Sequence, residues 1–248
     1  MKSYLIFILI LFVGCSSLPI IESRYNENDI ESSVYHYDIE NNLAYKIKHD
    51  NEYIYLHLKT DDKTTIRKIM MNGLYIYMDP QGGRSKEVYF NYPLSLRVNP
   101  QEMKKRAFNQ GTGMNDEFDM NRFLDHVSME AIYSNHDLAE KMPVYSSKTD
   151  FKVELSAPTP SIFVYDLRIP FSKIHENGQK GISKLSLGIM TGKVERPSME
   201  GRPGGGMPSG SRPGGGMGGG PGGGFDREEM MEQMSIWFQL ALNNTVNE

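Results

Sequence analysis

The stretch EYIYLHLK at residues 52–59 alternates aliphatic side chains with aromatic and polar ones at a period of two. One face of the stretch carries Ile54, Leu56 and Leu58, and the other carries Tyr53, Tyr55 and His57. Successive side chains of a β-strand point to opposite faces, so this pattern predicts a strand with one face in a core.

The same period recurs on both sides of this stretch. It is found in LAYKIK (43–48), GLYIYMD (73–79), EVYFNY (87–92), FKVEL (151–155), SIFVYDLRI (161–169), KLSLGIM (184–190) and SIWFQLAL (235–242). Turn residues separate several of them, most clearly Asp79-Pro80-Gln81-Gly82-Gly83. Since the strands do not alternate with helices, the pattern predicts an all-β fold, an antiparallel jelly-roll-like β-sandwich.

Residues 99–140 interrupt this pattern. The segments QEMKKRAF (101–108) and NDEFDMNRFLDHV (115–127) have helical periodicity, and Asn115 or Asp116 could cap the second. We therefore expect a small helical insertion at 99–140, packed on one end or face of the sandwich.

Residues 201–224, GRPGGGMPSGSRPGGGMGGGPGGG, contain 14 glycines among 24 residues. Such a tract cannot bury enough apolar area to offset the entropy of ordering. Because it falls between two predicted strands, we expect a long disordered Gly/Met-rich loop, residues 195–230, inside the domain rather than a linker between domains.

The chain starts with Lys2 and an apolar run, Tyr4 to Val13, which is shorter than the roughly 20 residues that span a bilayer. This layout is typical of a secretory signal peptide. Phe12-Val13-Gly14-Cys15 resembles a bacterial lipobox, and Cys15 is the chain's single cysteine. The resemblance implies that residues 1–14 are removed and that Cys15 is the lipid-attachment residue, which anchors the protein to a membrane.

Residues 15–32 are largely polar and predict a flexible tether, with a first strand hidden in LPII as the alternative. The β-sandwich domain would then occupy residues 33–248. Ser16, rather than Asp, follows the cysteine, which by resemblance to other lipoproteins favours an outer-membrane location. The periplasm-facing side is preferred because no acidic run follows Cys15 directly.

Three stretches in order carry a further resemblance: YIYLHLKTDD (53–62), KIMMNGLYIYMDPQGGRSKEVYFNYPL (68–94) and YDLRIPFSKI (165–174). Together they resemble family 9 carbohydrate-binding modules and the related DOMON-like sandwiches, and in particular lipoproteins of Bacteroidota-type bacteria. The resemblance implies a jelly-roll-like sandwich and, from the better-known members, sugar binding. Those members hold the sugar between tryptophans, whereas this chain has only Trp237.

The outward-facing aromatic residues are the candidate ligand-binding site. In each of their strands, the side chains alternate with the predicted core residues and so point away from the core. They are Tyr55, Tyr75, Tyr77 and Trp237, together with Tyr53. If their strands adjoin, the rings form a platform suited to the C–H face of a glycan, with His57 as a flanking polar group. The alternative is that the helical insertion covers these rings as a second layer of core.

Catalytic motifs such as GxSxG and HExxH are absent from the sequence, so we predict that the protein is not an enzyme. No metal-ligand spacing or cofactor motif is present, although Met230, Met231 and Met234 could offer Cu(I) thioether ligands. Haem is a weaker alternative. A net charge of −4 without a basic patch excludes a nucleic-acid partner.

The predicted function is therefore a membrane-anchored, exported lipoprotein whose sandwich domain binds a ligand, with carbohydrate as the leading class. The rival prediction is a structural or assembly lipoprotein that docks an envelope protein through its Gly-Met loop.

Overall fold

In the computed structural model, the described residues are 17–25, 34–95, 120, 124–125, 127–136, 138–146, 150–193 and 232–242. The described strands are β1 Ile20–Tyr25, β2 His36–Asp38, β3 Leu43–His49, β4 Tyr53–Thr60, β5 Leu74–Asp79, β6 Tyr89–Asn91, β7 Glu130–Asn135, β8 Leu138–Pro143, β9 Lys152–Thr159, β10 Ile162–Pro170, β11 Leu185–Thr191 and β12 Ser235–Leu242. Helix α1 spans Lys63–Asn72.

The strands form two sheets of a β-sandwich. The first sheet has the order β8-β7-β6-β5-β11-β12, and the second has the order β3-β4-β10-β9 with β2 also paired to β3. Within each of these sheets, neighbouring strands are antiparallel. The predicted all-β sandwich class is confirmed.

Strand β1 joins the two sheets. Its residues Ile20 to Ser23 pair in parallel with β12, and Arg24 and Tyr25 pair in parallel with β3. The prediction of a flexible tether over residues 15–32 is therefore wrong for residues 20–25, and the alternative of a strand in LPII is correct. The strand is held by backbone pairing on both sides, because only Ile21 among its apolar residues is buried while Ile20 is 69% exposed.

The core lies between the sheets and is built from the predicted inward positions. Ile54, Leu56 and Leu58 of β4 are buried, as are Leu74, Ile76 and Met78 of β5. The two sheets contact directly where Tyr45 of β3 stacks on Phe238 of β12, with ring centroids 5.1 Å apart. Period-two alternation therefore identified the buried face of each of these strands.

Helix α1 was not predicted. Asp62 caps it by accepting a hydrogen bond from the backbone N–H of Thr65, 2.7 Å away. The helix buries Ile66, Ile69 and Met70. It connects β4 to β5 and ends at Gly73, whose φ of 77° is a conformation that favours glycine.

The predicted helical insertion at 99–140 extends too far. Residues 130–135 and 138–140 lie in the antiparallel strands β7 and β8, which complete the first sheet. Earlier in the segment, Met120 and Leu124 are helical, and Met120 is buried in the core. Most of the two predicted helices, 101–108 and 115–127, lies outside the described residues.

The strands flanking the Gly/Met-rich segment are neighbours in the first sheet. Leu185 of β11 pairs with Leu240 of β12, and the pairing continues antiparallel to Met190 and Ser235. The segment therefore connects two adjacent strands of one domain, as predicted. The loop itself, 195–230, lies outside the described residues, as does the signal peptide. Within the described part of the chain, no helix is long and apolar enough to span a membrane.

Candidate functional site

Four aromatic rings lie together on the outer side of the first sheet. Tyr75 and Tyr77 of β5 stack with centroids 5.9 Å apart and an interplanar angle of 9°. Trp237 of β12 lies 5.9 Å from Tyr77 at 17°, and Tyr89 of β6 lies 5.6 Å from Tyr75 and 5.7 Å from Tyr77. We call these four residues the aromatic face.

Strand register explains how the aromatic face forms. Tyr89, Tyr77, Gly188 and Trp237 occupy one cross-strand row over β6, β5, β11 and β12. Gly188 has no side chain to fill its place in the row, and a Cβ there would lie 2.6 Å from Cζ2 of Trp237. The indole ring therefore lies across Gly188 and reaches Tyr77, although their strands are not adjacent.

The aromatic face combines apolar ring surface with hydroxyl groups. All four side chains are half-buried. Burial raises the pKa of Tyr77 to about 12, and the neighbouring Tyr75 and Tyr89 add to this effect. Its hydroxyl is therefore neutral at physiological pH and can both donate and accept hydrogen bonds. Lys86 adds a cation, with Nζ 5.6 Å from the Tyr77 ring centroid.

The predicted platform is partly correct. Tyr75, Tyr77 and Trp237 are together, but Tyr55 and Tyr53 lie on β4, in the second sheet, so the prediction that Tyr55 belongs to the same platform is wrong. The outward faces of two packed sheets point to opposite sides of a sandwich, and parity alone does not reveal which sheet a strand joins. Tyr89 was missed, although the alternation in EVYFNY places it on the outward parity.

Each of the four rings keeps partial exposure. The alternative in which the helical insertion covers them falls mostly on residues outside the described part of the chain. The described residues of that segment pack elsewhere: Met120 belongs to the hydrophobic core, and Leu124 and Val127 pack against it.

A cleft of about 980 Å³ lies on the outer side of the second sheet. Two cross-strand rows over β3, β4, β10 and β9 form its floor. The first row is Lys46, His57, Asp166 and Glu154, and the second is Lys48, Tyr55, Arg168 and Lys152. Val144, Tyr145 and Ser146, which follow β8, line one wall. We call this the second-sheet cleft, and the second row the basic row.

A chain of three polar groups crosses one end of the second-sheet cleft. Nδ1 of His57 lies 2.6 Å from a carboxylate oxygen of Asp166, and its Nε2 lies 2.9 Å from the hydroxyl of Tyr35. His57, which the sequence placed beside the aromatic platform, is thus held between a carboxylate and a phenol in the other sheet.

Tyr55 is fixed by Asp50. Its hydroxyl donates to Oδ2 of Asp50 at 2.7 Å, and the backbone N–H groups of Glu52 and Tyr53 donate to Oδ1 at 2.7 and 2.6 Å. Burial acts to raise the pKa of Asp50, but these hydrogen bonds outweigh it and lower the pKa. Burial, together with the Asp50 hydrogen bond, raises the pKa of Tyr55 to about 12.

The methionine residues considered for Cu(I) are largely outside the described part of the chain. The exception is Met234, whose side chain is fully buried in the core and cannot be part of an open metal site. Among the described residues, no group of three or more His, Cys, Asp or Glu side chains is arranged to hold a metal ion.

The solved structures similar to this chain include two carbohydrate-binding modules. The first is a family 9 carbohydrate-binding module from Caldicellulosiruptor kristjanssonii in complex with glucose, with 10% identity and a TM-score of 0.35, covering 92% of this chain and 100% of the module. The second is a module of the same family and organism in complex with cellotriose, with 12% identity and a TM-score of 0.32, covering 69% and 75%. No protein-family model matches the sequence, and no curated protein does so either. Similarity at this level carries no inference about a ligand.

Proposed function

We propose that the sandwich is a non-catalytic carbohydrate-binding domain and that the aromatic face holds the sugar. The observation that carries the proposal is the row of aromatic rings across β6, β5 and β12. Gly188 of β11 has no side chain, and the Trp237 ring lies over it. Half-buried aromatic side chains that gather on an open sheet face offer a binding surface, because their apolar rings are costly to leave in water.

The chemistry of the aromatic face matches that of a pyranose. One side of a pyranose ring carries C–H groups that pack on a flat π-surface, and its hydroxyl groups need donors and acceptors at the edge. The hydroxyls of Tyr75, Tyr77 and Tyr89 are of this donor-and-acceptor type. Rings spaced 5.6–5.9 Å apart across three strands favour an extended glycan over a single monosaccharide.

Trp237 provides a direct test, because it is the only tryptophan in the chain. A glycan array on the full-length protein would select ligands, and each would then be titrated while tryptophan fluorescence is recorded. We expect a saturable change in emission intensity and wavelength, since the sugar replaces water on the indole ring. A neutral glycan that binds by calorimetry without changing the fluorescence would place its site elsewhere and contradict the assignment to the aromatic face.

We further propose that the domain is attached to the periplasmic side of the outer membrane through lipid on Cys15. The lipobox-like Phe12-Val13-Gly14-Cys15 supports this proposal. Only residues 16–19 separate Cys15 from the start of β1, and four extended residues reach at most about 14 Å. The sandwich would therefore sit close to the headgroups, and two or more acyl chains would hold it there stably.

Mass spectrometry of the N-terminal peptide from the bacterial membrane fraction tests the anchor. We expect a peptide that begins at Cys15 and carries the added mass of two or three acyl chains. A Cys15→Ser variant should leave the membrane fraction and keep its fold, since Cys15 precedes the first strand. Detection of an unmodified Cys15 thiol in the membrane-derived protein would contradict the proposal.

A further inference from the structure

The basic row of the second-sheet cleft places like charges side by side. Arg168 of β10 and Lys152 of β9 are direct cross-strand neighbours. Lys48 occupies the same row, on the other side of Tyr55. Like charges directly opposite each other destabilise a sheet, and an anion bound between them relieves the repulsion.

The carboxylates that line the cleft are in the other row. Asp166 is within 2.6 Å of His57, and Glu154 is the direct cross-strand neighbour of Asp166. The charged lining therefore comprises four cations, Lys46, Lys48, Lys152 and Arg168, and two carboxylates. Arg168 and Lys152, which adjoin in the basic row, lie two residues along their strands from these carboxylates.

Arg168 is positioned to receive the anion. Its guanidinium lies over the ring of Tyr53, with Cζ 4.3 Å from the centroid, which fixes the plane of the group. Nη2 makes only a long contact of 3.5 Å to the carbonyl oxygen of Asp150, and Nε is buried without a hydrogen-bond partner among the described residues. A guanidinium with a fixed plane suits bidentate binding of a carboxylate.

We propose that the second-sheet cleft binds the carboxylate of an acidic saccharide, of the uronic-acid type, through Arg168 and Lys152. Asp166, Glu154 and the tyrosines of the cleft accept hydrogen bonds from the sugar hydroxyls. The volume of about 980 Å³ lies at the upper end of the range of small-ligand sites and accommodates more than one sugar ring. This site lies on the opposite side of the sandwich from the aromatic face, so it does not depend on the proposed function of that face.

Calorimetry on the full-length chain with digalacturonate, and with its dimethyl ester as the neutral counterpart, tests the site. We expect saturable binding of the acid, weakened by added salt, and binding of the ester at least tenfold weaker because the charge-assisted hydrogen bonds are lost. Tryptophan emission should stay constant during this titration, which separates the site from the aromatic face.

Variants distinguish specific recognition from general charge. Arg168→Gln should weaken digalacturonate binding about tenfold or more, and Arg168→Lys should restore only part of it, since an ammonium lacks the planar fork. Lys152→Gln tests the same site with an exposed residue whose replacement does not threaten folding. Lys184→Gln, an exposed lysine next to β11, is the matched control and should bind as the wild type does.

Three results would overturn the proposal. The first is equal binding of the acid and its ester, and the second is wild-type affinity in both Arg168→Gln and Lys152→Gln. The third is binding of inorganic phosphate as tight as that of digalacturonate, which would define a general anion site instead.

Discussion

Replacement of Phe238 by alanine is expected to lower the free energy of unfolding by about 3–5 kcal/mol, because it leaves a large cavity between the two sheets. Phe238 is fully buried, and its ring stacks on Tyr45 at 5.1 Å and 12°. This contact joins β12 of the first sheet to β3 of the second. A loss of this size is a large fraction of the roughly 5–15 kcal/mol that stabilises an ordinary domain.

Chemical denaturation followed by circular dichroism measures the effect of Phe238→Ala. Phe238→Leu should cost less, because leucine refills part of the cavity. Gln239→Ala is the matched control: the next residue of β12 faces outward and is half-buried, and we expect its replacement to cost well below 1 kcal/mol. If Phe238→Ala and Gln239→Ala were equally stable, the assignment of the buried face of β12 would be wrong.

The buried face of most strands could be predicted from sequence because it depends on local alternation. In β4 and β5, each predicted inward residue is buried, and each outward tyrosine is half-buried. In β12, Ile236, Phe238 and Leu240 are buried as predicted, with Trp237 on the other side. A period-two pattern indicates a strand with one buried face and one face toward solvent, and these strands have that arrangement.

Strand β1 was predicted only as an alternative, because its alternation is weak: its buried positions are Ile21 and the polar Ser23. Its sequence IIESRY carries a charged residue at its centre, and Ile20 is exposed. It pairs in parallel with β3 and with β12, and β12 begins more than 200 residues after β1 ends. Such non-local pairing has no counterpart in a window of a few residues.

Helix α1 was missed for a different reason, because the residue that signals its start is adjacent to it in sequence. Asp62 precedes the helix and caps it, as aspartate often does. The segment KTTIRKIMMN also contains β-branched residues, which lower helix propensity, and it lies between two strong strand patterns. In the folded chain, burial of Ile66, Ile69 and Met70 outweighs that weak local preference.

The candidate site shows the same division between local and non-local information. The outward parity of Tyr75, Tyr77 and Trp237 could be predicted, whereas their meeting depends on β11 lying between β5 and β12. Tyr55 has the same parity, but its strand joins the other sheet, where it faces Arg168 and Lys48 instead. The second-sheet cleft needs four strands in register, so no single stretch of sequence indicates it.

Trp237→Ala is expected to weaken glycan binding at the aromatic face at least tenfold. A loss of about 1.4 kcal/mol of stacking free energy is enough to give that factor. The indole provides the largest ring of the face and connects β12 to Tyr77. Trp237 is half-buried and on the outer side of the sheet, so stability should fall far less than in Phe238→Ala. Calorimetry with a glycan selected on the array measures the binding loss.

Gly188→Val separates the position of the ring from its presence. A Cβ at residue 188 would lie 2.6–2.8 Å from three indole carbons of Trp237, whereas a β-branched residue suits the strand backbone. The indole must therefore swing off the row while the sheet persists, and binding should fall nearly as far as in Trp237→Ala. Fluorescence of the displaced indole would shift to longer wavelength as its exposure increases. If Gly188→Val bound the glycan with wild-type affinity, the ring position over Gly188 would not matter, and the sugar would have to contact the protein elsewhere.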